Sequence, residues 1–209
     1  MKLSLDSHTR RQALLRAARC AILLAGSAAL VACTEEAPKF TSIDITGADY
    51  ASGFTLMDHN GQKRSLTDFA GKVVVVFFGF TQCPDVCPTT LAELAEVRRK
   101  LGPDGDRVQG LFISLDPERD TAPVLKAYMN NFDASFLALI PTLEQLPALA
   151  KEFKIFYKKV EGATPGSYTL DHSAADFVFD TQGKVRLYSR YGMGADALAA
   201  DIAILLKKA

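Results

Sequence analysis

The stretch that most constrains this chain is residues 73–80, Val-Val-Val-Val-Phe-Phe-Gly-Phe, in which only Gly79 interrupts β-branched and aromatic side chains. A continuous apolar run of this length suits a strand covered on both faces of a parallel sheet, so the chain must build a layer on each side of it. Thr81-Gln82-Cys83-Pro84-Asp85-Val86-Cys87-Pro88 follows at once. Beyond Pro88, Leu91, Leu94, Val97 and Leu101 recur at helical spacing until Gly102-Pro103 ends the pattern. Two cysteines therefore fall between a central buried strand and a helix.

The remaining chain reads as further strands and helices. Phe54-Thr55-Leu56-Met57 and Arg64-Ser65-Leu66 flank His59-Asn60-Gly61, and Asn-Gly is a strong hairpin signal. Residues 108–114 form a second apolar strand, the loop Asp116-Pro117-Glu118-Arg119-Asp120 follows, and Val124, Leu125, Tyr128, Met129 and Phe132 mark a helix. Residues 136–140 predict a short strand, and Leu143, Leu146, Leu149, Ala150 and Phe153 a third helix. Residues 155–160 and 168–171 flank Glu161-Gly162-Ala163-Thr164-Pro165-Gly166 as a hairpin-like excursion. Residues 175–179 and 185–188, joined by Asp180-Thr181-Gln182-Gly183, read as an antiparallel pair, and Leu198, Ile202, Leu205 and Leu206 close the chain with a helix. This order is the layout of an α/β thioredoxin-like fold, with a central mixed sheet flanked by helices and an N-terminal hairpin.

The N-terminus has the parts of an export signal. Arg10, Arg11, Arg16 and Arg19 precede an apolar stretch of 13 residues, 20–32, and small residues lead into Cys33. That stretch is short of the roughly 20 residues a bilayer span needs. Leu30-Val31-Ala32-Cys33 resembles the lipobox of bacterial lipoproteins, in which the cysteine is lipidated and becomes the first residue. Thr9-Arg10-Arg11-Gln12-Ala13-Leu14 is a loose match to a twin-arginine signal. The expectation is a cleaved signal over residues 1–32, a lipid-anchored tether over 33–50 and a folded domain over 51–209, facing the periplasm from the bacterial cell envelope. Without the signal the chain holds 19 basic and 23 acidic residues, a balance that argues against nucleic acid as a partner.

Of four cysteines, Cys20 leaves with the signal and Cys33 is lipidated, so the domain keeps only Cys83 and Cys87. Pro88 suits the first helical position, which puts Cys87 at or beside the N-cap and both sulfurs over the positive end of the helix. That setting favours thiolate, as metal binding and disulfide exchange both require. With three intervening residues the pair can share one ion or close a disulfide. A third ligand must come from elsewhere. His59 lies in the Asn-Gly turn and reads as a solvated turn residue. His172, after the excursion, is the candidate. Two thiolates and an imidazole suit copper, as Cu(I) or Cu(II), with Asp171 or another carboxylate orienting the ring. Catalytic zinc shares that ligand set but lacks an evident general base here. Met57, Met129 and Met193 are possible thioether ligands, with Met129 better read as core.

Cys83-Pro84-Asp85-Val86-Cys87-Pro88 together with Asp171-His172-Ser173 closely resembles the Sco/SenC family, thioredoxin-like copper proteins that assist cytochrome c oxidase assembly. Ile113-Ser114-Leu115-Asp116-Pro117-Glu118-Arg119-Asp120-Thr121 is a further match. The resemblance implies that Cys83, Cys87 and His172 bind one copper ion per chain and that the cysteines also cycle through a disulfide. It implies a metallochaperone whose partner is oxidase subunit II, with its dinuclear copper centre, or that subunit's assembly factors. The alternative is a membrane-anchored thiol-disulfide reductase that keeps client cysteines reduced. On this resemblance Asp116 and Arg119 support either the site or the fold.

Overall fold

The computed structural model describes residues 38–207. The signal, Cys20, Cys33 and the first part of the tether lie outside the described residues. Eight strands form one mixed sheet: β1 (Ile43–Asp44), β2 (Thr55–Asp58), β3 (Lys63–Ser65), β4 (Val73–Gly79), β5 (Val108–Ser114), β6 (Leu137–Ile140), β9 (Ala175–Phe179) and β10 (Val185–Arg190). Their spatial order is β1-β10-β9-β4-β5-β6-β2-β3. The helices are α1 (Val86–Lys100), α2 (Ala122–Asn130), α3 (Leu146–Glu152) and α4 (Ala195–Lys207). Strands β7 (Tyr157–Glu161) and β8 (Tyr168–His172) pair only with each other, as a separate antiparallel ribbon.

Strand β4 is central, as its composition demands. It runs parallel to β5 in unbroken register from Val73↔Val108 to Gly79↔Ser114, and antiparallel to β9. Every residue of β4 and β5 is buried. Period-two alternation sends Val74, Val76 and Phe78 into one core, with Phe153, Phe177, Phe179 and the α3 side chains Leu146 and Leu149. Val73, Val75 and Phe77 enter the other, against Leu91, Leu94 and Val97 of α1, Leu125 and Met129 of α2, and Ile202 and Leu205 of α4. Burying a side chain of this size is worth roughly 1.5–3 kcal/mol, so both layers are needed to satisfy the strand. This is the thioredoxin-like arrangement, with the N-terminal hairpin β2–β3 added beyond β6.

The domain begins earlier than its hydropathy pattern indicates. Residues 41–50, read as the end of the tether, are folded onto it. Ile43 and Asp44 pair with Tyr188 and Leu187 of β10, and the buried Asp201 of α4 accepts the Thr41 and Ser42 N–H groups at 2.9 and 2.8 Å. The strand has only two exposed residues and is held by backbone pairing and a carboxylate far along the chain, so no local periodicity announces it. Two helix edges also move. Leu143 is 59% exposed in the turn before α3, where Thr142 and Gln145 cap each other's backbone. Helix α1 starts at Val86 behind Asp85, placing Cys87 and Pro88 second and third in the helix; Pro88 still lies in the first turn, where a missing N–H breaks no intrahelical bond.

Candidate metal centre

Strand β4 delivers the chain to the site through Gly79. A Cβ built there would lie 2.7 Å from Cys87 Sγ, 2.8 Å from the Phe112 ring and 2.9 Å from the Phe77 ring. The glycine therefore lets the sulfur settle directly on the end of the strand. The Cys83 N–H returns to the Phe80 carbonyl at 3.2 Å, closing a tight turn over Thr81 and Gln82. That turn is fastened from below by the fully buried Asp120. Its carboxylate accepts the Thr81 hydroxyl and the Ser114 hydroxyl, each at 2.6 Å, and the Thr81 N–H at 3.2 Å. Burial raises the Asp120 pKa, and those hydrogen bonds oppose the rise.

The two thiols are free and unlike each other. Cys83 is partly exposed, and its pKa falls to about 5. The largest cause is the hydrogen bond from Cys87; the backbone N–H groups of Cys87 and Asp85 add to it and burial opposes it. Those N–H groups belong to the open first turn of α1, the positive end that the sequence places under the sulfurs. Cys87 is buried and its pKa is pushed strongly up, first by donating to Cys83 and then by burial. The outer thiol is thus the more readily ionised of the two.

His172 ends β8, paired with Tyr157. It belongs to the ribbon itself rather than to the segment after it. Its ring meets Phe80 edge-on at 5.8 Å between centroids and Phe77 at 6.5 Å. Nδ1 donates to the Ser173 carbonyl at 2.9 Å, since a carbonyl can only accept, and Nε2 faces Cys87 Sγ at 4.0 Å. The orienting group is therefore a main-chain carbonyl. The expected carboxylate does not serve: Asp171 is exposed, because successive residues of a strand point to opposite faces. The Ser173 N–H and Oγ bond the Phe156 carbonyl and N–H, both at 3.0 Å, and lock the base of the ribbon.

Among the described residues, Cys83, Cys87 and His172 form one cluster, with all ligand atoms within 4.8 Å of one another. Donors about 2.0–2.3 Å from one ion stand at most about 4.6 Å apart, so small movements bring these three onto a single metal. The other candidates lie elsewhere. His59 is half-buried rather than solvated, its Nδ1 accepting the Ala138 N–H at 3.1 Å, and burial lowers its pKa. Met129 is core, Met57 is 46% exposed, and Met193 Sδ accepts the Ser42 hydroxyl at 3.5 Å. Gly79, Asp120 and the Ser173 carbonyl were not singled out by sequence reasoning; only the Gly interrupting an apolar run gave a local signal.

A thioredoxin-like domain with two cysteines at the start of its first long helix and an imidazole opposite them defines a dithiol-imidazole protein. The comparisons narrow this further. The SCO1/SenC family profile matches residues 44–207, and the chain belongs to that family. An SCO2-like protein of Rickettsia felis is 34% identical over 154 residues, covering 72% of this chain and 75% of that one. The mitochondrial SCO2 homologue of Mus musculus is 35% identical over 71% of this chain, which spans only 59% of that longer protein. Bradyrhizobium japonicum ScoI, solved with copper bound, is 36% identical with a TM-score of 0.67, covering 73% of this chain and 97% of its own. A SCO1/SenC family lipoprotein from Bacillus anthracis matches at 25% identity and a TM-score of 0.63, covering 73% and 92%.

Proposed function

We propose that this protein binds one copper ion through Cys83, Cys87 and His172 and serves as a metallochaperone for the dinuclear copper centre of cytochrome c oxidase. The observation that carries the reading is the convergence of two sulfurs and an imidazole nitrogen within 4.8 Å. The donor chemistry fits: soft thiolates hold Cu(I), and the imidazole adds the nitrogen that Cu(II) favours. Copper bound to the related ScoI and membership in the SCO1/SenC family support it. The ion is cargo here, so the residues must both hold it and release it. A partly exposed Cys83 and a histidine on a separate ribbon suit release to oxidase subunit II or its assembly factors. No helix among the described residues is long and apolar enough to cross a membrane. Lipidation of Cys33 after removal of residues 1–32 would hold the domain at the envelope membrane, facing the periplasm.

The test is copper titration of the full chain in detergent, with Cys20→Ser and Cys33→Ser leaving only the pair as thiols. His172→Ala is expected to weaken Cu(II) binding about 100-fold while changing Cu(I) binding far less. Unchanged Cu(II) affinity in that variant would reject the site.

One observation favours a second reading, a thiol-disulfide reductase: Cys83 is partly exposed with its pKa lowered, whereas Cys87 is buried with its pKa raised. Cys83 would attack a client disulfide, form a mixed disulfide and release one client thiolate. Attack by Cys87 would then release the other, leaving Cys83–Cys87 oxidised and the client reduced by two electrons. This route needs no imidazole, so full oxidase assembly in cells carrying His172→Ala would select it.

A further inference from the structure

The three ligands come from two separate parts of the fold. Cys83 and Cys87 ride on the turn after β4, whereas His172 rides on a ribbon that pairs with no strand of the main sheet. Something must set the distance between them, and one side chain touches both. Arg119, in the loop between β5 and α2, donates from Nη1 to the Gln82 side-chain oxygen at 2.9 Å, and Gln82 immediately precedes Cys83. The same nitrogen donates to the Tyr168 carbonyl at 2.8 Å, at the start of the strand that ends in His172. The guanidinium also lies 3.6 Å above the Tyr168 ring.

The bridge is itself held in place. Arg119 Nε is ion-paired to Asp116, which is 2% exposed, and the other oxygen of that carboxylate accepts the Tyr168 hydroxyl at 2.8 Å. Lys159 of β7 adds an ion pair to Glu118 and sits 4.5 Å from the Tyr168 ring. Arg119 Nη2 is buried with no hydrogen-bond partner, so the planar fork keeps this geometry at a cost that an apolar residue would avoid. Tyr168 and His172 lie four residues apart on one strand, about 13 Å. Pinning one end of a five-pair ribbon fixes the tilt at which its other end meets the sulfurs.

Resting on the copper reading above, we propose that Arg119 is a positioning residue: it ties the cysteine turn to the ribbon carrying His172 and so sets the imidazole's approach to the shared metal. Its hydrogen bonds go to Asp116, Gln82 and the Tyr168 carbonyl, not to the ligand atoms. Its influence falls on the state that needs the histidine, Cu(II), and spares the state that two thiolates can hold, Cu(I).

The experiment measures Cu(II) and Cu(I) affinities of the full chain in detergent, with Cys20→Ser and Cys33→Ser, for Arg119→Ala, Arg119→Lys, Gln82→Ala, His172→Ala and Arg119→Ala/His172→Ala. Arg119→Ala is expected to weaken Cu(II) about 10–100-fold, the range for groups that orient a ligand, with Cu(I) affinity within about threefold of wild type. Arg119→Lys should not rescue it, because one ammonium cannot pair with Asp116, reach the Gln82 and Tyr168 oxygens and lie flat over the ring at the same time. With His172 already removed, Arg119→Ala should add less than about threefold, since its effect passes through the imidazole. Gln82→Ala, an exposed change that leaves the fold intact, should give a smaller Cu(II)-selective loss. In the metal-free protein, Arg119→Ala should speed amide exchange in β7 and β8 and not in β4 and β5. Equal losses for both oxidation states, equal losses with and without His172, or unchanged Cu(II) binding in Gln82→Ala would each overturn the proposal. If His172→Ala itself leaves Cu(II) binding unchanged, the ligand assignment has failed; if only Arg119→Ala and Gln82→Ala are silent, the positioning role alone has failed.

Discussion

Asp176 of β9 sits between Ser189 of β10 and Phe77 of β4, buried, with Oδ1 making no hydrogen bond. Burial first, and the neighbouring Glu93 charge second, raise its pKa from 3.8 to about 7. A carboxyl with a raised folded-state pKa favours folding when protonated. Its contribution is therefore intact below the unfolded-state value near 3.8, declines as pH rises, and is fully lost above about 7. The rise from 3.8 to about 7, at 1.36 kcal/mol per pH unit, amounts to about 4 kcal/mol in total. Of this, about 2–3 kcal/mol falls between pH 5 and pH 8. Asp176→Asn keeps the volume and removes the charge, so every other titrating group cancels between the two proteins. Urea unfolding of the reduced, metal-free protein at pH 5 and pH 8 should show wild type losing about 2–3 kcal/mol more than the variant across that interval. Parallel pH profiles would refute the reasoning, because they would mean that the carboxyl is hydrated or paired in the folded protein.

Two further outcomes follow from the site. Gly79→Ala forces a methyl onto the Cys87 sulfur and two rings, and should cost about 1–3 kcal/mol in urea unfolding while weakening Cu(I) binding; an unchanged protein would mean that the sulfur does not rest on β4. In the reduced protein at pH 6, iodoacetamide should label Cys83 well before Cys87, with the Cys83 rate falling as pH drops through about 5, read by peptide mass spectrometry. Faster labelling of Cys87 would reverse the assignment of the thiolate.

The parts of this protein visible in its sequence are those written in local pattern. The buried strand 73–80, the helix of Leu91, Leu94 and Val97, the Asn-Gly hairpin and the second strand over 108–114 all stand where periodicity and turn residues put them. Each is decided by neighbours within a few residues. The cysteine turn was legible for the same reason, since a strand, two cysteines and a helix follow one another directly. His172 became a candidate because the domain has so few histidines, and its motif resembles that of a known family.

What tertiary structure alone decided is held by contacts between distant segments. The two-residue strand β1 exists because Asp201 and β10 receive it, and its own composition gives no reason for it to be ordered. The Ser173 carbonyl, rather than Asp171, orients the imidazole because pairing with Tyr157 sets which face each ribbon residue presents. Arg119 and Asp116, ambiguous in one dimension, prove to join the cysteine turn to the ribbon across a single aromatic ring. Sequence by itself determined that a dithiol would stand between a buried strand and a helix, because hydrophobic periodicity and turn chemistry are local. The approach of an imidazole to that dithiol, and the polarity of the two sulfurs, depend on burial and on hydrogen bonds that exist only after the chain has closed on itself.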